Sequence, residues 1–186
     1  MSEIRFPYDR EKAWQAILWF AGKHGGSIDL LKLVKLLFYA DREHLVRYGR
    51  PITGGTYRAL PLGPVASDVL DDLKASATRS MPFKRDGADP KHPVVHAVGK
   101  VDETALSESD FEVLEDVNRE FGHIDQIRLY KMTHETKAYK KNFKEGHASK
   151  SFPLPYEDFF LDVPPAKRAI LKLIREDAEA RACLGS

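Results

Sequence analysis

The sequence predicts a mainly helical domain with a minor β component, and three observations carry that expectation. The stretch Asp29–Tyr48, DLLKLVKLLFYADREHLVRY, is long and apolar at helical spacing. Five further segments carry apolar stripes at i, i+3/i+4, two of them stopped by glycine, at Gly25 and Gly122. Only Thr56–Leu60 and Pro93–Val101 read as strands, so a single two-stranded element is expected. With 186 residues, 42% hydrophobic and 31% charged, the chain has the composition of one globular domain. We expect a helical domain over residues 1–145 and a linker with a C-terminal helix, packed on it or appended to it, over residues 146–186.

The first helix begins after Asp9, whose carboxylate is placed to cap it, and its stripe of Ala13, Ile17 and Phe20 runs to Lys23 before Gly25-Gly26. The short connection makes it an antiparallel neighbour of the central helix. Ser27 or Asp29 caps that central helix and Gly49 ends it. At about 100° per residue Leu30, Val34, Leu37, Phe38, Leu45 and Tyr48 share one face. Lys32, Lys35, Tyr39 and Glu43 fall opposite, facing solvent.

Asp41 breaks the apolar face, and His44 lies on the same side three residues on. A carboxylate there requires His44, an arginine or the N–H groups of a docked loop as partner. Two readings follow: a buried polar staple, or an acid/base pair or half of a metal site. His134, at the end of a later helix, reads in the same two ways.

Gly49–Gly63, GRPITGGTYRALPLG, holds six glycines and prolines around the Thr56–Leu60 strand. It reads either as a structural turn or as a binding edge held between helices. Neither phosphate-loop pattern is present. Pro64 suits the first turn of a helix whose face is Val65, Val69, Leu70 and Leu73. Ala77–Pro93 is polar and proline-rich and reads as a surface loop, after which Pro93–Val101 is expected to pair with Thr56–Leu60.

Ser107 with Asp110 forms a capping-box start for a helix carrying Phe111, Leu114, Val117 and Phe121. A helix over Asp125–His134 follows, continued after a bend through Phe143. Lys150–Pro155 reads as a linker, Tyr156–Leu161 as a short aromatic segment. A final helix from Asp162 or Pro164-Pro165 to Leu184 has Ile170, Leu173, Ile174 and Ala178 as its stripe.

The composition excludes several classes. A net charge of +1 gives no global attraction to nucleic acid or membrane. One cysteine, Cys183, permits neither an internal disulfide nor a multi-cysteine zinc site, which fits a cytoplasmic protein. The charged start MSEIRFPYDREKAW is not expected to be a secretory leader, and no apolar run approaches a membrane span. Lys131, Lys137, Lys140, Lys141 and Lys144, between Arg128 and Lys150 and interleaved with Tyr130, Tyr139 and Phe143, are the one basic concentration. They make a nucleic-acid-binding regulator an alternative. A hydrolase or metal enzyme at Asp41, His44 and His134 is the other. No nucleophile or metal motif accompanies those residues, so no catalytic residue, metal or cofactor is expected.

The run Leu30–Leu45, LLKLVKLLFYADREHL, and the run Gly49–Leu73, GRPITGGTYRALPLGPVASDVLDDL, together resemble the core of the Panacea domain, the SocA-like antitoxin family. That family has a K-L-x-K-L-L-aromatic helix, here Lys32–Asp41, then a short strand and a Gly-Pro turn, here Gly63-Pro64. LSESDFEVLEDVNREFG (Leu106–Gly122) and LYKMTHETKAY (Leu129–Tyr139) are similar to its later segments. Tyr139 stands where tryptophan is common, and Leu62 where an aromatic often precedes Gly-Pro. The tail after Lys140 has no counterpart. The resemblance implies a helical cytoplasmic protein that neutralises a cognate protein toxin by direct binding, with a protease as a second partner where the antitoxin acts as an adaptor. On that reading the partner-binding residues are Tyr57, Arg58, Leu60 and Leu62 of the loop, Tyr39, and Ile170 and Ile174 of the last helix. Asp41, His44 and His134 then hold the loop in place.

Overall fold

The computed structural model describes residues 3–184. Among them are seven α-helices and six short strands, with one of the helices at the centre. Helix α1 (Arg10–Lys23) starts where Asp9 accepts the Lys12 N–H. Strand β1 (Ser27–Asp29) leads into α2 (Leu30–Tyr48), capped by Asp29 through the Lys32 N–H and closed by Gly49 in the left-handed region. Strands β2 (Tyr57–Leu60) and β3 (Gly63–Ala66) form a hairpin that runs into α3 (Ser67–Ala75). Strands β4 (Phe83–Asp86) and β5 (Val94–Ala97) precede α4 (Glu108–Phe121), which opens with the Ser107/Asp110 capping box. Then come α5 (Gln126–His134), α6 (Lys137–Asn142), β6 (Phe152–Pro153) and α7 (Ala169–Leu184). Short 3₁₀ turns lie at Glu103–Ala105, Tyr156–Phe160 and Pro165–Lys167.

The mainly α class holds, but α2 is encased rather than one-sided. All nine residues from Leu33 to Asp41 are buried, because α1, α4, α5, α7, β1 and β3 all pack on it. Lys35 and Tyr39, expected to face solvent, are therefore inside, while Tyr48 is exposed. A wheel computed for one core face cannot represent a helix with neighbours all round.

The β component is two three-stranded antiparallel sheets, ordered β1-β5-β4 and β3-β2-β6, and the expected pairing of Thr56–Leu60 with Pro93–Val101 does not occur. Strand β2 takes β3 instead, across the two-residue tip Pro61-Leu62, with Ala59 opposite Pro64. A two-residue tip closes at less entropic cost than a connection of more than thirty residues. Pro64 thus sits in an edge strand, where a missing N–H is tolerated, and the helix starts at Ser67. Strand β5 pairs with β1 and β4. The expected loop over Ala77–Pro93 contains β4, anchored by the buried Phe83. The expected linker contains β6, which pairs with β2. Helix α7 starts at Ala169, later than expected, because Pro164 and Pro165 support only a 3₁₀ turn.

Candidate functional site

The best-defined polar construction runs between α2 and the segment from Arg50 to Pro64. Asp41 is fully buried in the middle of α2. It accepts the N–H groups of Ile52 and Thr53, each at 2.8 Å, the Thr53 hydroxyl, and the Tyr57 hydroxyl at 2.7 Å. Burial pushes its carboxyl up; the hydrogen bonds from Thr53, Tyr57 and Ile52 work against that. All four hydrogen bonds, from three residues, are donated to Asp41, so the ionised carboxylate is the form this geometry serves. Burial beside Asp41 also holds the Tyr57 hydroxyl protonated and a donor.

One turn on, His44 Nδ1 lies 2.7 Å from the Arg50 carbonyl oxygen. His134 Nε2 lies 3.1 Å from the carbonyl oxygen of Pro61, and Tyr139 donates to the Leu60 carbonyl at 2.8 Å. Lys35 donates to the Pro64 carbonyl at 3.0 Å, and Tyr156 to Gly55 at 3.0 Å. Gly54 and Gly63 both have φ in the left-handed region, and each is pressed close. A Cβ on Gly54 would fall 2.1 Å from the Pro7 oxygen, and one on Gly63 2.7 Å from Lys35 Nζ. The segment is thus fastened at its start, middle and end. Its tip stands out into solvent: Leu62 is 62% exposed.

The other side of His44 meets a second polar cluster. Its Nε2 is 3.1 Å from Ser109 Oγ and 3.1 Å from an Asp110 carboxylate oxygen. Lys12 reaches Asp110 at 2.6 Å and Arg50 at 3.1 Å. Burial pushes the Asp110 carboxyl up, but donors from His44, Lys12 and Ser107 outweigh it and hold the group far below the usual carboxylate range. A depressed carboxyl contributes stability above its unfolded pKa, near the ordinary 3.8, and loses it as pH falls further. Melting curves from pH 7 to pH 2 should therefore steepen in their loss below about pH 4. In Asp110→Asn that acid limb should flatten; a limb of unchanged steepness in the variant would remove Asp110 from this role.

The geometry redistributes the residues expected at a partner surface. Tyr57 is buried under the loop, and Tyr39 is buried and stacked on Phe121 at 4.2 Å between ring centres. Neither presents a ring to solvent, because α2 is covered on the side that the wheel left open. Arg58 is bound to Ser151, its Nε to the hydroxyl and its Nη2 to the carbonyl, both at 3.0 Å. Ile170 and Ile174 face Gly49 at the end of α2, so that side of α7 is occupied; Leu173 is the exposed member of the stripe. Leu60 and Leu62 remain at the surface, on the rim of an apolar cleft of about 420 Å³ between the hairpin, α2 and α5. Sequence reasoning missed Lys35 and Arg85, which line that cleft. A signal existed for Lys35: its i±3 and i±4 neighbours are Leu31, Lys32, Phe38 and Tyr39, none an acid that could pair with it on a solvent face.

Asp41 and His44 meet on one loop, but His134 does not join them; it serves the hairpin tip instead. Among the described residues no group of three histidine, cysteine or carboxylate side chains converges to hold a metal. In the basic region Lys140 pairs with Glu135 and Lys141 with Asp158, and Phe143 is stacked on the buried Tyr139. Among the described residues no helix is long and apolar enough to cross a membrane.

Compared with known proteins, the chain matches the family model of the SocA-like antitoxin, Panacea domain, over residues 33–140, more than half its length. No curated protein and no solved structure matches it. The matched stretch begins inside α2 and ends inside α6, so it contains Lys35, Asp41, His44, the whole hairpin and His134.

Proposed function

We propose, from the premise that the chain belongs to the SocA-like antitoxin family with its Panacea domain, that it neutralises a cognate protein toxin by direct binding at the tip of the β2–β3 hairpin. The observation that carries this reading is the exposed Leu62 at the end of a segment tied down by Asp41, His44, His134 and Tyr139. An apolar side chain held rigidly in water is a preorganised contact, since little conformational freedom is left to lose on association. The mechanism needs no bond-making chemistry: the hairpin and the cleft beside it cover a surface of the toxin, and Asp41, His44 and His134 act by positioning.

The test is co-expression with the product of the adjacent gene. That protein alone should arrest growth; together with this chain growth should resume, and the two should co-elute on size exclusion as one species. Rescue without co-elution would overturn direct binding in favour of repression or enzymatic reversal.

A further inference from the structure

The cleft beside the hairpin has a composition that specifies its occupant. Its walls are apolar, with Leu31, Val34, Leu60, Val65 and, at the lips, Leu62 and Ile127. Leu62 is 62% and Ile127 49% exposed, two of the five large apolar side chains that the described surface leaves in water. Lips exposed to that degree call for a covering body wider than the cleft itself, a segment of another protein rather than an enclosed small molecule.

The charged groups of the same cleft are mostly cationic. Lys35 forms part of its floor, and Arg85 and Lys91 part of its wall. Lys35 is 1% exposed and spends its one hydrogen bond on a backbone carbonyl. The Arg85 Nε is buried and, among the described residues, has no hydrogen-bond partner. The Arg85 side chain as a whole is part-exposed on this wall, and a guanidinium with no carboxylate of its own pairs best with an incoming one, which accepts in the plane of the fork. The single carboxylate in the lining, Asp29, is committed to capping α2 through the Lys32 N–H at 3.0 Å.

We propose that this cleft receives an acidic apolar segment of the toxin, whose apolar side chains fill the walls between Leu60 and Ile127 and whose carboxylate pairs with Arg85 above Lys35. The assignment rests on the direct-binding reading above and goes further by fixing the chemistry of the partner's segment. Charge complementarity sets orientation and the apolar walls supply affinity.

The test is calorimetric titration of the purified chain with the purified product of the adjacent gene, at low and high salt. Leu62→Asp and Arg85→Glu are the cleft variants. Leu173→Asp, an exposed leucine on α7, is the control; α7 packs near Gly49, roughly 25 Å along α2 from the cleft at 1.5 Å per residue. Melting temperatures establish that each variant is folded. Each cleft variant should weaken binding at least tenfold, Arg85→Glu less so at high salt, while Leu173→Asp stays within twofold of the parent chain. A complex that forms equally with the parent and both cleft variants overturns the cleft and leaves direct binding standing. Loss with Leu62→Asp but unchanged or tighter binding with Arg85→Glu overturns the acidic occupant. No complex with the parent chain overturns direct binding and the cleft together.

Discussion

Asp41→Ala should lower the melting temperature by about 6–20 °C, the largest loss expected from any single polar substitution here. The carboxylate accepts from Ile52, Thr53 twice and Tyr57, all inside the protein. Removing it leaves two backbone N–H groups and two hydroxyls buried without acceptors, each costing roughly 1–3 kcal/mol before relaxation. Relaxation and non-additivity bring the net to about 3–5 kcal/mol, and about 2–4 °C accompanies each kcal/mol in a domain of this size. Asp41→Asn separates charge from shape. It keeps the volume but turns one acceptor into a donor facing Thr53 or Tyr57, so it should recover less than half of the loss. Tyr57→Phe removes one donor only and should cost about 1 kcal/mol. In the Asp41→Ala background that second substitution should cost almost nothing, because the partner is already gone. Differential scanning calorimetry on the parent and the four variants measures all of this. Asp41→Ala melting within 2 °C of the parent would show that the loop is held by its other fastenings and that Asp41 is dispensable to it.

The legibility of this site differed from group to group for physical reasons. Asp41 and His44 stood out because a charge in an apolar stripe is a local anomaly, visible in the spacing alone. The ends of α1, α2 and α4 were equally local: Asp9, Asp29 and Ser107 cap through groups three residues away, well within the chain's own memory. The sheet partners were not. Whether Thr56–Leu60 pairs with Gly63–Ala66 or Pro93–Val101 depends on which closure is cheaper, and a proline read as a helix start hid the nearer choice. Strand β6 was hidden further still, since two residues ending in Pro153 carry no periodicity; they are a strand only because β2 has a free edge. That edge matters for the site, because the tail beyond the matched family region supplies Ser151 to Arg58 and Tyr156 to Gly55. A chain segment without family resemblance thus completes the fastening of the family's loop. Tyr39 and Tyr57 show the converse: aromatic, and so anchors by residue type, they are consumed by the core, and the apolar side chain that the loop leaves in water is the plainer Leu62.

Lys35→Met is expected to act in the opposite direction on stability. Burial pushes the Lys35 ammonium down to about 7, and no carboxylate offsets that. Between about pH 7 and the ordinary lysine value of 10.5 the unfolded chain carries a proton that the folded chain has released. Stability therefore rises with pH across that window. The full shift corresponds to about 5 kcal/mol at 1.36 kcal/mol per unit, an upper bound that local relaxation reduces. Methionine has a similar length and no charge to desolvate. Its cost is the hydrogen bond to Pro64, about 1 kcal/mol. At pH 7 the variant should thus be more stable than the parent by roughly 1–3 kcal/mol. The two stability curves should converge as pH approaches 10, where the parent's lysine is neutral as well. Urea unfolding at pH 6, 7, 8.5 and 10 measures the gap directly. A gap that stays constant with pH, or a variant less stable than the parent at pH 7, would mean that the ammonium is satisfied where it lies. Below about pH 7, where Lys35 is charged, the same substitution also removes positive charge from the floor of the Leu60–Ile127 cleft, so affinity for an acidic segment should fall there as stability rises. A buried cation that destabilises the free protein is understandable at a binding site, where the partner's carboxylate offsets the burial; as pure scaffold it has no such compensation.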